Sequence, residues 1–517
     1  MQSPYAPDSK RSYWIFLLVL SLMAILIGAI VTSKYGAGVA SDSTKYLSVA
    51  QSVKDGHGLF DHRGKALLSW PPLYSMTIAG LAACTGWDVF VAAWYLNVFL
   101  LGFNLFLSGV VFYRVFPEKI LYAYLAVLFV FLSNPSLRIH SVISSDPLYL
   151  TAVFALVLAL DRYIRKQSYR AFICILLLSA LAPLLRYVGL AIGATAGVVV
   201  LIEQYRSPRV WFRDGFLLGL VTVLPIAWWL VVHNVMTYGS LWGLETQVVD
   251  VSTNLSLGLT KILHWFVPYL SVLMPLLLRP WIALVASILA IGLLNRNCRE
   301  CVRKWAAAWA AKPAYPVVLH GFIYFTAVTL TAVTADHRDL YSDRYYFILL
   351  VPVLILLFIT FDTLLLPHLH FSARQIQYGM IALFAVWSIY PLYTLQEYVR
   401  EARVEGEPSS LNMFNTRTYH EMDLIAETRL LRQREPDAIV YSNYVDAVWF
   451  YTRMPVTLLP FLSDHPTEWR EDRPGYIVWF EPNEYKHYIS PEQIAQFAKV
   501  ELVYEGKGGE IYYVQAR

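Results

Sequence analysis

The feature that most constrains this chain is a succession of apolar runs, most close to twenty residues long, that fills its first 395 positions. A helix of about 20 apolar residues crosses the roughly 30 Å of bilayer hydrocarbon, where every backbone N–H and C=O must be satisfied internally. The expected fold class is therefore a polytopic α-helical membrane protein. The runs read as spans are 13–32, 90–113, 119–134, 147–163, 170–187, 188–204, 214–233, 280–295, 315–334, 345–365 and 377–395, about 11 crossings. Two further runs, 70–87 and 258–279, are apolar but broken by proline and read as interfacial or re-entrant elements.

Composition excludes the obvious alternatives. Hydrophobic residues make up 57% of the chain and charged residues 15%, a bias foreign to water-soluble domains. The net charge of +4 arises from small basic clusters scattered between spans, so no concentrated basic patch exists and a nucleic-acid partner is not expected. Those clusters report orientation. Arg114 and Lys119, then Arg162 to Arg170, Arg206 to Arg213, Arg296 to Lys312, and Arg374 occupy alternate loops, which the positive-inside rule assigns to the cytoplasm. Lys10 and Arg11 precede the first span, which reads as an uncleaved anchor with a cytoplasmic N-terminus. The expectation is a multi-pass protein of the inner (cell) membrane with its C-terminus on the outer face.

Past Leu395 the chain turns polar. Residues 1–395 thus form a transmembrane domain with a first external loop at 33–89, and 396–517 a soluble α/β domain on the periplasmic or outer face. In the latter, Met413 to Gln433 has helical period, Asp437 to Ser442, Val456 to Leu459 and Tyr476 to Phe480 read as buried strands, and Pro491 to Lys499 as a short helix. Val500 to Val514 reads as a hairpin around Gly506, Gly508 and Gly509. The four cysteines are Cys84, Cys174, Cys298 and Cys301; tetrahedral zinc needs four ligands, and the Cys298-x-x-Cys301 pair has no second pair.

Chemistry can only lie where polar groups gather on one face. The stretch from Gly38 to Pro72 carries more ionisable groups than any apolar segment nearby: Asp42, Lys45, Lys54, Asp55, His57, Asp61, His62, Arg63 and Lys65. Tyr46, Leu47, Val49, Ala50 and Val53 give one apolar stripe if Ser43 to Lys54 is helical, so a helix lying flat on the membrane surface is expected, with Asp42 and Ser43 at its N-cap. Two more outer loops qualify: Asn134 to Pro147, with Arg138, His140 and Asp146, and Thr334 to Tyr346, with Asp336, His337, Arg338, Asp339, Asp343 and Arg344. Arg186 adds a cation at the outer end of its span. Carboxylates and arginines at a lipid–water boundary suit a reaction on a lipid-linked phosphate, one supplying a base and the other charge for the departing phosphate. Asp42 also reads as a plain helix cap, Asp146 as a cap before Pro147, and Arg344 as an interfacial anchor; His57, His62 and His140 read as solvated loop histidines.

These residues resemble a known family. Asp42 in SDSTKYLSVAQSVKDGHGL, Pro71-Pro72-Leu73 in WPPLYSMTIAGLAACTGWD, Asp146 in SSDPLYL and Arg344-Tyr345 in SDRYYFILLVP look like GT-C class membrane glycosyltransferases, specifically the bacterial relatives of protein O-mannosyltransferases and of the lipid A aminoarabinose transferase. The likeness covers roughly 13–365, and 396–517 is similar to the soluble domains many members append. It implies a first external loop with two interfacial helices, a catalytic acidic residue near its start, and a sugar donor carried on a polyprenyl phosphate. Two positions depart from the family. Ser43 follows Asp42 where an Asp-Glu pair is usual, and Trp70 stands before Pro71-Pro72 where a lysine is usual. Lys65, Arg186, Arg338 or Arg344 would then have to meet the donor phosphate.

The resemblance implies an inverting transfer of a sugar from a polyprenyl-phosphate donor to a hydroxyl of a lipid, glycan or protein acceptor. Asp42, expected to accept the proton of the acceptor hydroxyl, and Asp146 are the candidate catalytic residues, and Tyr345, His57 and His62 candidate substrate contacts. A divalent metal is the one cofactor to consider. A lipid-glycan flippase or transporter, or a non-catalytic envelope assembly protein, are the alternatives; a transporter should show mid-span ionisable groups or an ATP-binding loop.

Overall fold

The computed structural model describes residues 7–241, 251–266, 303–305, 307–308, 314–331, 343–368, 371–406, 410–464, 469, 474–481 and 488–517. Among them, seven helices are long and apolar enough to cross a membrane: Lys10–Val31, Val89–Val115, Asp146–Lys166, Tyr187–Gln204, Pro208–Thr237, Phe347–Leu365 and Ala373–Val404. The first, α1 (Pro7–Val31), lies against the fourth helix of the chain, Val89–Val115. Their backbones approach closely at Gly102, where a Cβ would stand 2.5 Å from the Ser21 carbonyl oxygen.

The remaining apolar runs behave differently. The expected span 119–134 is a 13-residue helix, Ile120–Leu132, bent by 53° from Asn134–His140. Ser133 is extended between them and Pro135 opens the second piece, so the first helix cannot run on straight. Tyr169–Leu185 and Ala314–Leu330 are shorter apolar helices, as is Leu73–Thr85 within the 70–87 run. The segment 280–295 lies outside the described residues, as does 267–279 of the second proline-broken run; 258–266 closes the helix Val251–Phe266.

After Thr32 the chain enters the first loop. Gly38 accepts from Ile143 N at 3.0 Å and donates to Ser141 O at 2.8 Å, which ties this loop to the one before Asp146. Only glycine fits here, because a Cβ would meet Val142 Cγ2 at 2.8 Å and Asn412 Cβ at 3.0 Å. Next comes α2 (Ser41–Lys54), whose N-cap is Ala40, not Asp42 or Ser43. Ser43 Oγ accepts from Ala40 N at 2.9 Å and donates to Ile143 O at 2.6 Å, so it takes the capping work and leaves Asp42 in the first turn. The stripe on α2 is covered by protein instead of lying open to lipid: Tyr46, Leu47 and Ala50 join the main core, and Val49 packs with Leu67, Ile226 and Trp229.

The C-terminal region carries a five-stranded sheet in the order β2-β1-β3-β5-β4, with β1 (Ile439–Ser442), β2 (Val456–Leu458), β3 (Gly475–Phe480), β4 (Ala498–Gly506) and β5 (Gly509–Ala516). β1 pairs in parallel with β2 and β3; β5 pairs antiparallel with β3 and β4. A parallel pair needs a crossover, supplied between β1 and β2 by the helix Val445–Thr452. The expected helix 413–433 is shorter, Arg417–His420 then Asp423–Arg434, because two asparagines bind backbone ahead of it. Asn412 Oδ1 accepts from Val39 N at 2.8 Å, and Asn415 Nδ2 donates to Tyr35 O and Ala37 O at 2.8 Å each. These bonds dock the domain onto the start of the first loop. The helix expected at 491–499 ends at Ile494, and β4 begins by Ala498.

Candidate active site

Four charged residues from separate parts of the sequence meet at one end of the helical bundle. Arg344 Nη2 donates to Asp42 Oδ2 at 2.7 Å, and Arg344 Nε lies 3.6 Å from Asp146 Oδ2. Arg186 Nη1 pairs with Asp146 Oδ1. Each is placed by the end of a helix or a short turn: Asp42 by the first turn of α2, Asp146 by the first residue of Asp146–Lys166, Arg186 by the extended residue after Tyr169–Leu185, and Arg344 by the 3-10 turn Asp343–Tyr345. The Tyr345 ring lies 5.0 Å from the Arg344 guanidinium carbon and 5.7 Å from that of Arg186, while Tyr324 Oη donates to its carbonyl at 2.9 Å. Burial pushes the Asp42 carboxyl up, but the charge and hydrogen bond of Arg344, with Lys45 and Arg186, outweigh it and hold the group below the usual carboxylate range.

Below the cluster a polar brace holds the start of Asp146–Lys166. Asn104 Nδ2 donates to Pro147 O at 2.8 Å and lies 3.1 Å from His140 Nε2, whose other ring nitrogen is 2.7 Å from Ser136 O. His140 is buried there, not solvated as expected.

A second polar cluster sits on another face of α2. Ser41, Lys45 and Ser48, spaced four and three apart, point toward the helix Val445–Thr452 and the loop around His62. Ser41 Oγ donates to Asp446 Oδ2 at 3.0 Å, His62 Nε2 lies 3.4 Å from Asp446 Oδ1, and Ser48 Oγ is 3.4 Å from His62 Nδ1. Lys45 Nζ lies 4.0 Å over the ring of Trp70. Neither His62 Nε2 nor Asp446 Oδ1 has a hydrogen-bond partner among the described residues. Burial pushes His62 down to about 4, Asp446 up to about 6, and Lys45 below the usual lysine range.

The expected site residues are thus divided. Asp42, Asp146, Arg186, Arg344 and Tyr345 come together. His62 is buried at the seam with the C-terminal domain instead of solvated, and does not touch that cluster. His57 and Lys65 are exposed on the loop, where Lys65 engages Asp61 through its backbone, so neither joins the cluster. Arg338 lies outside the described residues. Lys45 and Asp446 were not foreseen as site residues. The signal for Asp446 is a lone carboxylate inside the apolar run VDAVWF. For Lys45 it is Trp70, since the ring at the position where a lysine was expected receives a lysine from one turn beyond Asp42. Among the described residues no group of three or more His, Cys, Asp or Glu side chains is arranged to hold a metal ion. No known protein-family model matches the chain, and no curated protein matches it.

Proposed function

We propose that this protein is a membrane glycosyltransferase of the GT-C kind, moving a sugar from a polyprenyl phosphate to an acceptor hydroxyl. The observation that carries the reading is the convergence of Asp42, Asp146, Arg186 and Arg344 from separate elements at one end of an apolar bundle. Guanidiniums hold phosphate oxygens in pairs, so Arg344 and Arg186 meet the departing lipid phosphate. Sugar transfer passes through a cationic, oxocarbenium-like ring, and an ionised carboxylate beside it lowers that barrier. Asp42, kept ionised by Arg344, fills that role.

The chain crosses the membrane about 11 times in this reading, counting the seven long helices, the bent pair, the two shorter apolar helices Tyr169–Leu185 and Ala314–Leu330, and 280–295. Asp161, which bonds Arg165 and pairs with Arg114, lies about 22 Å along its helix from Asp146, at 1.5 Å per residue. The basic turns therefore sit at the end away from the cluster, which supports the reading of a cytoplasmic face there, with the cluster and the C-terminal domain outside. A thiol reagent that cannot cross membranes should label a cysteine placed at Ser52 in intact cells but not one at Ser207; the reverse pattern inverts the topology.

The decisive experiment incubates the purified protein, in vesicles of total membrane lipid, with a panel of polyprenyl-phosphate sugars and measures released polyprenyl phosphate. Release from one donor supports the reading, and release from none overturns it. One observation favours a second reading, an assembly protein locked by ion pairs: in this state both carboxylates face guanidiniums. That reading requires Asp42→Asn to be silent in envelope assembly.

A further inference from the structure

We propose that Asp446, supplied by the C-terminal domain, is the group that takes the proton from the acceptor hydroxyl, leaving Asp42 to the donor side. This rests on the transferase reading and assigns its acid–base chemistry. The helix α2 carries two polar faces. On one, Asp42 is bonded to Arg344, and a carboxylate so held is a poor base. On the other, Ser41 fixes Asp446 Oδ2, while the buried Oδ1 has no hydrogen bond among the described residues and faces the His62 imidazole at 3.4 Å. Ser41 and Asp42 are adjacent in the chain, and Ser41 holds Asp446 Oδ2 at 3.0 Å, so Asp446 lies against the same first turn of α2 that carries Asp42. Two carboxylates whose surroundings push their ionisation apart are the pattern by which one site divides acid–base and electrostatic work.

The groups around Asp446 fit the task. Lys45 from α2 and Arg63 from the loop keep it ionisable, Asp61 opposes them, and burial lifts the carboxyl to about 6, close to the range where a general base works best. His62 is unprotonated at neutral pH and stands 3.4 Å from this buried oxygen. In the step, the acceptor O–H bond breaks and its proton passes to the Asp446 carboxylate. The acceptor oxygen forms a bond to the anomeric carbon, whose bond to the phosphate oxygen breaks with its electrons leaving on polyprenyl phosphate. The proton then returns to water.

The test uses the full-length protein in vesicles of total membrane lipid, with the donor that gives release in the panel above, and decaprenyl monophosphate as a binding probe. Wild type should lose turnover as pH falls below about 6, because the base becomes protonated. Asp446→Asn should lower kcat at least about 100-fold and abolish that limb, with decaprenyl monophosphate affinity within about threefold of wild type. Asp446→Glu should recover part of the turnover and restore the limb. By contrast, Arg344→Ala should weaken the probe. Turnover of Asp446→Asn within about threefold of wild type, or an unchanged acid limb, overturns the assignment and leaves the transferase reading standing. Equal loss of turnover and probe binding in Asp446→Asn, unrescued by Asp446→Glu, reduces Asp446 to a docking residue and also overturns it. A wild type that releases lipid phosphate from no donor takes both readings down.

Discussion

The two polar faces of α2 differ in how they treat charge. On the side of Asp146, two carboxylates and two arginines are interlocked, and the burial cost of each ion is met by an opposite ion in contact. On the side of Asp446, an ammonium, an imidazole and a carboxylate stand near one another, yet Lys45 rests on an aromatic ring and burial pushes both His62 and Asp446 toward their neutral forms. The first arrangement fixes charge, and the second leaves protonation adjustable. One short helix thus carries a face suited to a permanently charged phosphate and a face suited to a moving proton.

The comparison predicts different failures on the two sides. Removing Arg186 leaves the buried Asp146 to Arg344 alone at 3.6 Å, so Arg186→Ala should destabilise the protein by about 3 kcal/mol, the low end for breaking a buried pair. Adding Asp146→Ala should recover much of that loss, which thermal unfolding of the single and double variants measures. Strict additivity would mean that the two do not share an ion pair. Asp42→Asn preserves shape but not charge, and should keep the protein folded while lowering turnover at least about 100-fold, roughly 2.7 kcal/mol of barrier. Near-normal release of lipid phosphate in that variant would end the role given to Asp42. Arg344→Lys retains charge but loses the guanidinium fork, so binding of decaprenyl monophosphate should weaken on the order of tenfold, and Arg344→Ala should cost more. Normal binding in both, with weak binding in Arg186→Ala, would move the phosphate site to Arg186.

Much of the locked face was legible in the sequence, and little of the adjustable one. Asp42, Asp146, Arg186 and Arg344 lie at the ends of apolar runs, and the alternation of runs brings such ends to one face whatever the packing in between. The same reasoning placed β1, β2 and β3 from their apolar runs and the last hairpin from its glycines. Failures came where tertiary contact outweighs local pattern. Ser43 took over the capping of α2 through a bond to Ile143, a residue 100 positions away. His62 looked solvated because its neighbours are polar, yet Trp449 and Asp446 of the C-terminal domain cover it. Short polar breaks hid the helix Val445–Thr452, and with it Asp446. Lys65 and His57 share a loop with Asp42, and that proximity in sequence did not carry them to the site.

The smallest effect tests the adjustable face most directly, because the two groups of the seam shift in opposite directions. Asp446 binds its proton more tightly folded, at about 6, than the ordinary 3.8, so ionisation as pH rises from about 4 to 6 costs folded-state stability. His62 binds its proton less tightly folded, at about 4, than the ordinary 6.5, so protonation as pH falls from 6.5 toward 4 favours unfolding. The two slopes oppose each other across nearly the same window, and in wild type the seam should hold almost evenly from pH 4 to 6.5. Asp446→Asn leaves only the imidazole, so the seam should loosen as the solution is acidified. His62→Asn leaves only the carboxylate, and the seam should loosen as pH rises through the same range. Each change should amount to about 1 kcal/mol, since Asp446 is partly exposed and its share is screened. Hydrogen exchange of segments 41–62 and 445–452, followed from pH 4 to 7, reads both slopes. If the two variants respond to pH in the same direction, Asp446 and His62 do not form the adjustable pair described here.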